Sequence, residues 1–410
     1  MQRIVIAGGG VIGLSCGIAL ARSGHDVTVL DPDTARDAPS WGNAGHIATE
    51  QVAPLASPAM VRSAWRRRFG AGGALDLPVA MARDWMPFAA RLLAASRPAR
   101  FRTGSAALGG LMAEAMPAWR RLAASLDAPG LLRSDGHLVI WESAASAIRG
   151  LAAWRAADIG TARIDPAGTD DLAAIAALVT APVGGAARFT GSGQIADPGR
   201  LATALETALA DAGGRLIRER AVLDRTGGRV AVRGRDGGLV LVAAGIGSRA
   251  LLAPIGHRVP MIAERGYHIR AAAGRWPADL PPIVFEDRSM IVTRYADTVQ
   301  AAGFVELGHA DAPPDPRKWQ RLEAHVAALG LPITGPFTRW MGARPTLPDY
   351  LPAIGRSRRA ANLLYAFGHQ HLGLTLAPVT AELVAALVDG RVPSVDMAPF
   401  DLERFGGGTA

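Results

Sequence analysis

The first thirty residues alternate between apolar runs and short turns in an order typical of a β-α-β unit. Residues 2–7 predict a short strand whose apolar run, residues 4–7, is of the kind that is buried in a parallel sheet. Residues 14–23 predict a helix that ends at Gly24, and residues 26–30 predict a second strand that ends in Asp31. This order predicts an α/β fold that begins in a parallel sheet.

A glycine-rich turn at residues 8–13 joins the first strand to the helix and matches the pattern G-x-G-x-x-G. Gly8 allows a tight turn, Gly10 lets the backbone approach a pyrophosphate, and Gly13 lets helix and strand pack closely. The helix N-terminus offers N–H groups to phosphates. Asp31 can accept hydrogen bonds from both ribose hydroxyls and would repel a 2′-phosphate. The turn predicts a dinucleotide site that suits FAD or NAD; the alternative is a glycine-rich turn in an unrelated α/β protein.

Later segments of the chain narrow the choice of dinucleotide. Their order along the chain gives information about the dinucleotide that the glycine turn alone does not give. They are a small polar segment at 40–46, a predicted helix from 198 to about 212 with a strand ending near Val222, an apolar strand with a small-residue turn at 239–248, a Gly- and Pro-rich segment at 340–355, a segment with two glycines and two histidines at 365–375, and a final helix over about 372–387.

This succession resembles the FAD-dependent D-amino-acid oxidase superfamily, which includes glycine oxidase and sarcosine oxidase, and is most similar to the bacterial D-amino-acid dehydrogenases. The resemblance runs from residue 1 to about 390, and its most specific parts are segments 40–45, 342–355 and 368–375. It implies an α/β fold with a discontinuous doubly wound FAD-binding domain and a substrate domain with a large, mainly antiparallel sheet. The predicted division is 1–60, 143–255 and 340–410 for the FAD-binding domain, and 61–142 and 256–339 for the substrate domain.

The same resemblance implies that FAD is bound without a covalent link. The glycine turn would hold the pyrophosphate, the 40–46 segment would wrap the ribityl chain, and Val222 would offer backbone groups to the adenine. The N-terminus of the final helix would stabilise negative charge on the flavin. The residues expected to contact FAD are Gly8, Gly10, Val11, Ile12, Gly13, Asp31, Ser40, Asn43, Ala44, Gly45, His46, Val222, Ala244, Gly245, Gly368, Gly373, Leu374 and Thr375.

Three side chains are predicted to act on the substrate. Arg344 lies in a Gly-x-Arg-Pro segment whose arginine holds the substrate carboxylate in similar enzymes, and a guanidinium binds a carboxylate through two parallel hydrogen bonds. The alternative is a structural pair with Asp349. Tyr267 could donate to the same carboxylate, or place its ring in the core. His369 could tune the charge of the flavin or touch the substrate, or merely cap the last helix.

The resemblance implies oxidation of a small D-amino acid by hydride transfer from Cα to flavin N5, with electrons passed to a quinone or another carrier. A cyclic substrate such as cis-4-hydroxy-D-proline is one hypothesis. The only lysine, Lys318, is expected in a surface loop, and its distance from the flavin favours a dehydrogenase over an oxygen-using amine oxidase. A noncatalytic FAD-binding subunit of a dehydrogenase complex and an RNA-modifying flavoprotein are the remaining alternatives.

Composition excludes several classes of protein. Apolar residues make up 49 % of the 410 residues and charged residues 20 %, which is unlike a disordered chain. One cysteine, Cys16, excludes a disulfide framework, and it is expected to be buried in the first helix. The nine histidines show no helical i,i+4 pair with a carboxylate partner, so no metal site is predicted.

The net charge of +8 is scattered apart from Arg66-Arg67-Arg68, so no nucleic-acid partner is predicted. No uninterrupted apolar stretch reaches 18 residues, and the N-terminal run is too short for a signal peptide, which predicts a cytoplasmic protein. Residues 65–69 and 85–101 mix aromatic and basic side chains. They predict either peripheral contact with the inner face of the cell membrane or a solvated face with tryptophan in the core. The oligomeric state stays open.

Overall fold

Ten α-helices and twenty β-strands form the regular structure of residues 1–235 and 238–406, which the computed structural model describes. The helices are α1 (Val11–Arg22), α2 (Pro58–Ser63), α3 (Ala82–Ala95), α4 (Pro98–Ala124), α5 (Ala144–Ala156), α6 (Thr169–Leu178), α7 (Pro198–Asp211), α8 (Ser248–Leu252), α9 (Pro316–Ala328) and α10 (Gly373–Asp389). The strands are β1 (Arg3–Ala7), β2 (Asp26–Leu30), β3 (His46–Ile47), β4 (Leu75–Asp76), β5 (Leu132–Arg133), β6 (His137–Trp141), β7 (Arg163–Pro166), β8 (Gly185–Thr190), β9 (Gly193–Ile195), β10 (Arg215–Ile217), β11 (Leu223–Thr226), β12 (Arg229–Val232), β13 (Leu239–Val242), β14 (Ile262–Ala272), β15 (Ile283–Phe285), β16 (Met290–Arg294), β17 (Thr298–Gly308), β18 (Thr338–Thr346), β19 (Ala353–Arg356) and β20 (Leu363–Phe367).

A six-stranded sheet has the order β10-β2-β1-β13-β20-β19, and its strands are parallel except β19. On β1, Ile4 and Ile6 pack in one apolar cluster with residues of α1, α7 and α10, while Val5 belongs to a second cluster on the opposite face. Both faces of β1 are therefore covered, which explains its uninterrupted apolar run. The predicted first strand, first helix and second strand are confirmed, and Cys16 is fully buried in α1.

A nine-stranded, mainly antiparallel sheet has the order β18-β14-β17-β16-β15-β6-β8-β7, with β4 paired to β17. Helix α9 covers one face of it, where Leu322 and Val326 pack with Tyr267 and Ile269 of β14. The opposite face of β14 carries Glu264 and His268. The two sheets confirm the predicted fold class, a doubly wound domain joined to a domain built on a large antiparallel sheet.

The sheets divide the chain differently from the predicted domain boundaries at two places. Strands β7 and β8, at 163–190, pair in the nine-stranded sheet although the prediction places them in the dinucleotide domain. Helix α4 packs against α10 and contributes Leu108 and Leu111 to the cluster under the six-stranded sheet, although the prediction places it in the substrate domain. Local pattern identifies a strand or a helix, but not the sheet that it joins. The strand after α7 also ends earlier than predicted, at Ile217 rather than near Val222.

Helix α10 is apolar over most of its circumference, since it lies in the centre of the core. The segment Gln370–Asp389 has the length and the mean hydropathy, 1.6, of a membrane span, but 78 % of its apolar window is buried inside the protein. Burial of that extent is typical of the core helix of a globular protein.

Lys318 is fully buried in α9, so the prediction of a surface loop is wrong. Its Nζ lies 2.7 Å from an Asp76 oxygen, 2.5 Å from a Glu306 oxygen and 2.8 Å from an Asp315 oxygen. Arg265 pairs with the other oxygen of Glu306. A buried charge is tolerated only when it is paired in this way, so the ammonium neutralises carboxylates from β4, from β17 and from the N-cap of α9.

We expect Lys318→Met to lower the free energy of unfolding by about 3–5 kcal/mol, because removal of one partner leaves uncompensated buried carboxylates. Arg317→Met is the matched control, since Arg317 pairs with the same Asp315 from a side chain that is 70 % exposed; its effect should stay within about 1 kcal/mol. Urea denaturation followed by fluorescence measures both variants. Equal effects would contradict the structural role assigned to the buried ammonium.

Candidate functional site

A cavity of about 1230 Å³ lies between the two sheets and is bounded by residues of both. Its position at the carboxyl ends of β1 and β2 is where doubly wound sheets bind ligands. The predicted site residues that line it are Gly8, Gly10, Val11, Ile12, Asp31, Ser40, Asn43, Ala44, His46, Val222, Ala244, Gly245, Tyr267, Arg344, Gly368, His369, Gly373 and Leu374. Gly13, Gly45 and Thr375 lie directly behind this wall. The Thr375 hydroxyl oxygen accepts a hydrogen bond from the Ala48 N–H (3.0 Å).

The glycine turn has no space for side chains at the positions that the sequence motif singles out. Gly8 has a φ of +111°, and a Cβ there would lie 2.4 Å from the Ala243 carbonyl oxygen. A Cβ on Gly13 would lie 1.8 Å from the Gly8 carbonyl oxygen. Gly13 does not line the cavity itself. Its missing side chain allows α1 to pack closely against the turn, and this packing fixes the position of the cavity wall.

Two polar side chains fix the turn against the rest of the wall. The Asp31 carboxylate accepts hydrogen bonds from the N–H groups of Gly9 and Asp33. The Ser40 hydroxyl oxygen accepts from the Val11 N–H at the N-terminus of α1 (3.1 Å). The polar segment that follows β2 therefore folds back over the helix end.

The 40–46 segment is also anchored to the large sheet. The Asn43 carbonyl oxygen accepts hydrogen bonds from the Tyr295 hydroxyl (2.7 Å) and from Gln300 Nε2 (3.1 Å). The Asn43 side chain accepts from the Gly45 N–H (2.9 Å), which fixes the turn before His46. This segment joins the wall built by the six-stranded sheet to the wall built by the nine-stranded sheet.

The residues present fit a bound dinucleotide. The turn brings bare backbone to the cavity, and the first N–H groups of α1 have no carbonyl partner within the helix. Such a helix end favours phosphate oxygens. The cavity continues from this turn to Gly368 and Gly373 at the start of α10, so one elongated ligand can contact both helix ends. Val222 lines the cavity, and its carbonyl oxygen already accepts from the Arg233 N–H (2.9 Å).

Arg344 lies on β18 opposite Glu264 of β14. Its Nη1 is 3.3 Å from a Glu264 oxygen, and Glu264 is almost completely buried. The guanidinium occupies the space above Gly266, where a Cβ would lie 2.3 Å from Nη2. Among the described residues, Glu264 is the one recorded partner of the guanidinium, so donors remain for a ligand in the cavity. The alternative pair with Asp349 does not form, because Asp349 pairs with Arg404 (2.7 Å).

Glu264 is held from its other side by two hydroxyl groups. Thr346 Oγ1 and the Tyr350 hydroxyl donate to the second oxygen of Glu264, at 3.2 and 3.1 Å. Burial raises the pKa of Tyr350 well above its usual value, and the Glu264 charge adds to this effect. Tyr350 has a φ of +58° and accepts a hydrogen bond at its carbonyl oxygen from Gln370, whose φ is +47°. Left-handed backbone in non-glycine residues is concentrated at functional sites.

Tyr267 does not come together with Arg344. Its hydroxyl donates to Glu306 (3.1 Å) and accepts from the Asp315 N–H (3.1 Å), on the α9 side of β14. Burial raises the pKa of Tyr267 to about 12. Arg265 reaches the same Glu306 because residues two apart on a strand point to the same face of the sheet. The role of the Tyr267 hydroxyl in carboxylate binding remains a prediction without support from this geometry.

The loop before α10 brings His369 and His371 to the cavity. His369 Nε2 lies 3.0 Å from Thr380 Oγ1 inside α10, and burial lowers the pKa of His369 to about 3. His371 Nε2 pairs with the Gln51 side chain, and burial lowers its pKa to about 4. Both rings are therefore neutral near pH 7. Gly368, at φ +81°, allows the tight passage beside Leu347 that starts this loop.

Trp340 and His268 form an aromatic wall that sequence reasoning did not place in the site. Their rings stack at 4.8 Å, and His268 Nδ1 lies 3.1 Å from the Gly42 carbonyl oxygen. The Trp340 indole fills the space above Gly42, where a Cβ would lie 2.4 Å from the ring. Gly42 was the one signal for this wall in the sequence, because a glycine allows another group to approach the backbone closely.

A second unpredicted group lies around His46. Its Nε2 lies 3.0 Å from Glu50 Oε1, and its ring meets the ring of His137 edge to face at 4.5 Å. These three residues line the cavity, and their ligating atoms come within 4.8 Å of one another. The spacing of four residues between His46 and Glu50 was visible in the sequence. The search for a metal site considered such pairs only within helices, and His46 lies in a strand, so the pair was not predicted.

Comparisons with known proteins find relatives over almost the whole chain. The family model described as "FAD dependent oxidoreductase" (DAO) matches residues 3–387. A D-amino-acid oxidase of Bradyrhizobium diazoefficiens is 30 % identical, over 98 % of this chain and 99 % of the relative. A D-amino acid dehydrogenase of Cereibacter sphaeroides is 30 % identical, over 98 % and 95 %. The crystal structure of iminodiacetate oxidase from Chelativorans sp. BNC1 has a similar fold, with a TM-score of 0.70, 20 % identity and 98 % of both chains covered. The resemblance drawn from the sequence is confirmed.

We expect Gly13→Ala to reduce the retained flavin to below about a tenth of the wild-type content, because the new Cβ would overlap the Gly8 carbonyl oxygen. Gly109→Ala is the matched control, since Gly109 also lies in a helix and its Cβ would meet no atom within 4 Å. Alanine should stabilise that helix by up to about 1 kcal/mol. The ratio of flavin to protein absorbance after purification measures both. A flavin content equal to that of the control would refute the close packing at this turn.

Proposed function

Because the chain belongs to the DAO family of FAD-dependent oxidoreductases, we propose that it oxidises a small D-amino acid. FAD is the cofactor, and the chemistry that it supplies when bound is acceptance of a hydride from the substrate Cα at N5. The relatives named D-amino-acid oxidase and D-amino acid dehydrogenase, which match over almost the whole length, support this substrate class.

The observation that carries the proposal is the geometry of Arg344. Its guanidinium faces the cavity, and its contact with Glu264 leaves donors unused among the described residues. A guanidinium with two parallel donors fixes both the position and the direction of a carboxylate. Binding the substrate by its carboxylate lets the enzyme present Cα in one orientation, and such positioning supplies a large part of catalysis in reactions of this type.

A cyclic secondary amine such as cis-4-hydroxy-D-proline is our specific substrate proposal. The segments 265–268 and 368–373 support it through their resemblance to hydroxyproline-pathway dehydrogenases. The stacked rings of His268 and Trp340 offer a flat wall for a five-membered ring. The test is anaerobic reduction of the flavin by glycine, sarcosine, D-alanine, D-proline and cis-4-hydroxy-D-proline. Faster reduction by sarcosine than by any D-amino acid would overturn the assignment.

Transfer of electrons to a quinone or another carrier is proposed over transfer to oxygen. The only lysine of the chain is held by three carboxylates behind β14, away from the cavity wall. It therefore offers no ammonium beside the flavin to activate oxygen. The name of the Bradyrhizobium relative favours the second candidate, an oxygen-using oxidase. Turnover with a dye but without hydrogen peroxide supports the dehydrogenase. A flavin that no amine reduces would instead indicate a noncatalytic subunit.

We expect Arg344→Gln to lower kcat/KM by about 10²–10³-fold, mainly through KM, because a charge-assisted pair of hydrogen bonds to the carboxylate is lost. Arg339→Gln is the matched control on the same strand, since Arg339 pairs with Glu323 on the surface (2.8 Å). Dye reduction at fixed flavin content measures both variants. Similar kcat/KM values for the two variants would remove Arg344 from substrate binding.

Peripheral membrane contact, on the inner face of the cell membrane, is proposed for the surface formed by residues 62–102. This segment contains nine arginines and two aspartates, a net charge of +7 within a chain of +8. The charge is therefore concentrated, contrary to the scattered distribution inferred at first. Trp65, Val79, Met86 and Leu93 are exposed in the same segment at 71 %, 85 %, 59 % and 54 %. Exposed apolar side chains among arginines fit the interface of an anionic bilayer, and a quinone pool lies in such a bilayer.

We expect the protein to sediment with phosphatidylglycerol vesicles and not with phosphatidylcholine vesicles. The double variant Arg91→Glu/Arg97→Glu should lose most of this binding, because each basic group near an anionic surface contributes about 1 kcal/mol. The control Arg149→Glu/Arg155→Glu makes the same charge change on the exposed face of α5. Equal loss in both double variants would indicate a general charge effect. Binding to tRNA instead of vesicles would favour a nucleic-acid partner.

A further inference from the structure

The group formed by His46, Glu50 and His137 joins two parts of the cavity wall. His46 begins β3, which pairs with β9 in a three-stranded sheet, and Glu50 lies in the turn that follows β3. His137 begins β6 of the nine-stranded sheet. All three side chains line the cavity. The fold therefore brings together three groups with ligand chemistry from segments that lie ninety residues apart in the sequence.

Glu50 is one of three glutamates that are almost completely buried among the described residues. It is 4 % exposed, and Glu264 and Glu306 are each 1 % exposed. Glu264 and Glu306 both pair with an arginine or a lysine. Within the described part of the chain, the ion pair recorded for Glu50 is with the His46 ring alone. Because a buried carboxylate is stable only with a compensating charge, Glu50 calls for a cation that the other two already have.

The donor atoms of the group are spaced closely enough to surround one ion. One ligating atom from each residue lies within 4.8 Å of the other two, so some point lies within about 2.8 Å of all three. Movements of less than about 1 Å bring such atoms to the 2.0–2.2 Å of zinc–nitrogen and zinc–oxygen bonds. The 3.0 Å between His46 Nε2 and Glu50 Oε1 is also about the separation of two neighbouring ligands of one ion. A metal ion would replace the proton between these two atoms, since a ligating imidazole nitrogen must be unprotonated.

His137 has the surroundings of a ligating ring. Its Nδ1 lies 2.9 Å from Oγ of the fully buried Ser192, and its ring stacks on Phe189 at 4.5 Å. A second hydrogen bond of this kind orients a metal-bound histidine and fixes its tautomer. When Nδ1 donates to Ser192, the lone pair lies on Nε2, which makes no hydrogen bond to another described residue.

Two atoms of the group are incompletely satisfied as it stands. Glu50 Oε2 and His46 Nδ1 are buried and have no hydrogen-bond partner in the described ranges 1–235 and 238–406. Buried polar atoms without partners are rare, and an ion at the site is one of the ordinary explanations. A carboxylate can bind an ion through one oxygen or through both, so an ion beside Glu50 can also satisfy Oε2.

We propose that His46, Glu50 and His137 bind one divalent transition-metal ion of the zinc type. Two imidazole rings and one carboxylate are ligands that zinc and related ions prefer. The ion gives Glu50 its positive partner and links the segment after β3 to β6. It also holds the ring of His46, one of the predicted flavin contacts, in one orientation. The rival explanation is a hydrogen-bonded His46–Glu50 pair that binds no metal.

The first test is metal analysis of the untagged, FAD-loaded protein after growth with zinc and dialysis against metal-free buffer. We expect about one zinc ion per chain in the wild type and less than about 0.1 in His46→Asn, Glu50→Gln and His137→Asn. His309→Asn is the matched control and should keep its zinc, since it removes a histidine that is 60 % exposed and lies 3.9 Å from Asp311. Zinc retained equally by all variants would indicate an adventitious ion only and would overturn the proposal.

The second test uses the wild-type holoenzyme, so it does not depend on how the variants fold. After removal of metal with a chelator, titration with zinc should give a Kd below about 1 μM. Zinc at a hundred times this Kd should raise the midpoint of thermal unfolding by about 3–5 °C. X-ray absorption at the zinc edge should show two imidazole rings and no sulfur ligand. Weaker binding, or an absorption spectrum without two imidazole rings, would overturn the proposal. Neither readout requires turnover, so both are independent of the substrate proposed above.

Discussion

The ion pair between Glu264 and Arg344 connects the fold to the site. It forms across two neighbouring strands, β14 and β18, and requires glycine at position 266, since the guanidinium lies where a Cβ would be. A buried carboxylate is stable only with partners for its oxygens, and Tyr350 and Thr346 supply the remaining hydrogen bonds. Because residues 347–352 lead directly from β18 into β19, the same stretch of chain couples the large sheet to the six-stranded sheet.

The cavity keeps its shape because polar contacts cross it at the 40–46 segment. Tyr295 and Gln300 of the large sheet region bond to the Asn43 carbonyl oxygen, and His268 lies against the Gly42 carbonyl oxygen. Each such hydrogen bond contributes about 1 kcal/mol net, so together the three stabilise the position of this segment by about 3 kcal/mol. The small residues of this segment serve the same purpose, because they let Trp340 approach the backbone directly.

The sequence predicted those parts of the fold and site that depend on short stretches of chain. The first thirty-one residues were assigned correctly because glycine conformation, apolar runs and helix ends are local properties. Arg344 was predicted from its local motif and does line the cavity. Its partner Glu264 was not predicted, since that pairing depends on the register of two strands eighty residues apart. Lys318 was misplaced because the proline-rich stretch before it suggests a loop, whereas its burial is decided by carboxylates from β4 and β17. A pattern along one segment cannot show which charged side chains of other segments lie beside it in the fold.

Burial also determines the electrostatics of the cavity. Five of the nine histidines line it, and burial lowers the pKa of four of them, His137, His268, His369 and His371, to about 3 or 4. These four rings add hydrogen-bonding surface without adding charge near pH 7. The charges around His371 that remain belong to the Glu264–Arg344 pair and to Glu50. The histidine-rich wall thus offers polar contacts to a ligand, while the charge in the cavity wall comes from the Glu264–Arg344 pair and from Glu50.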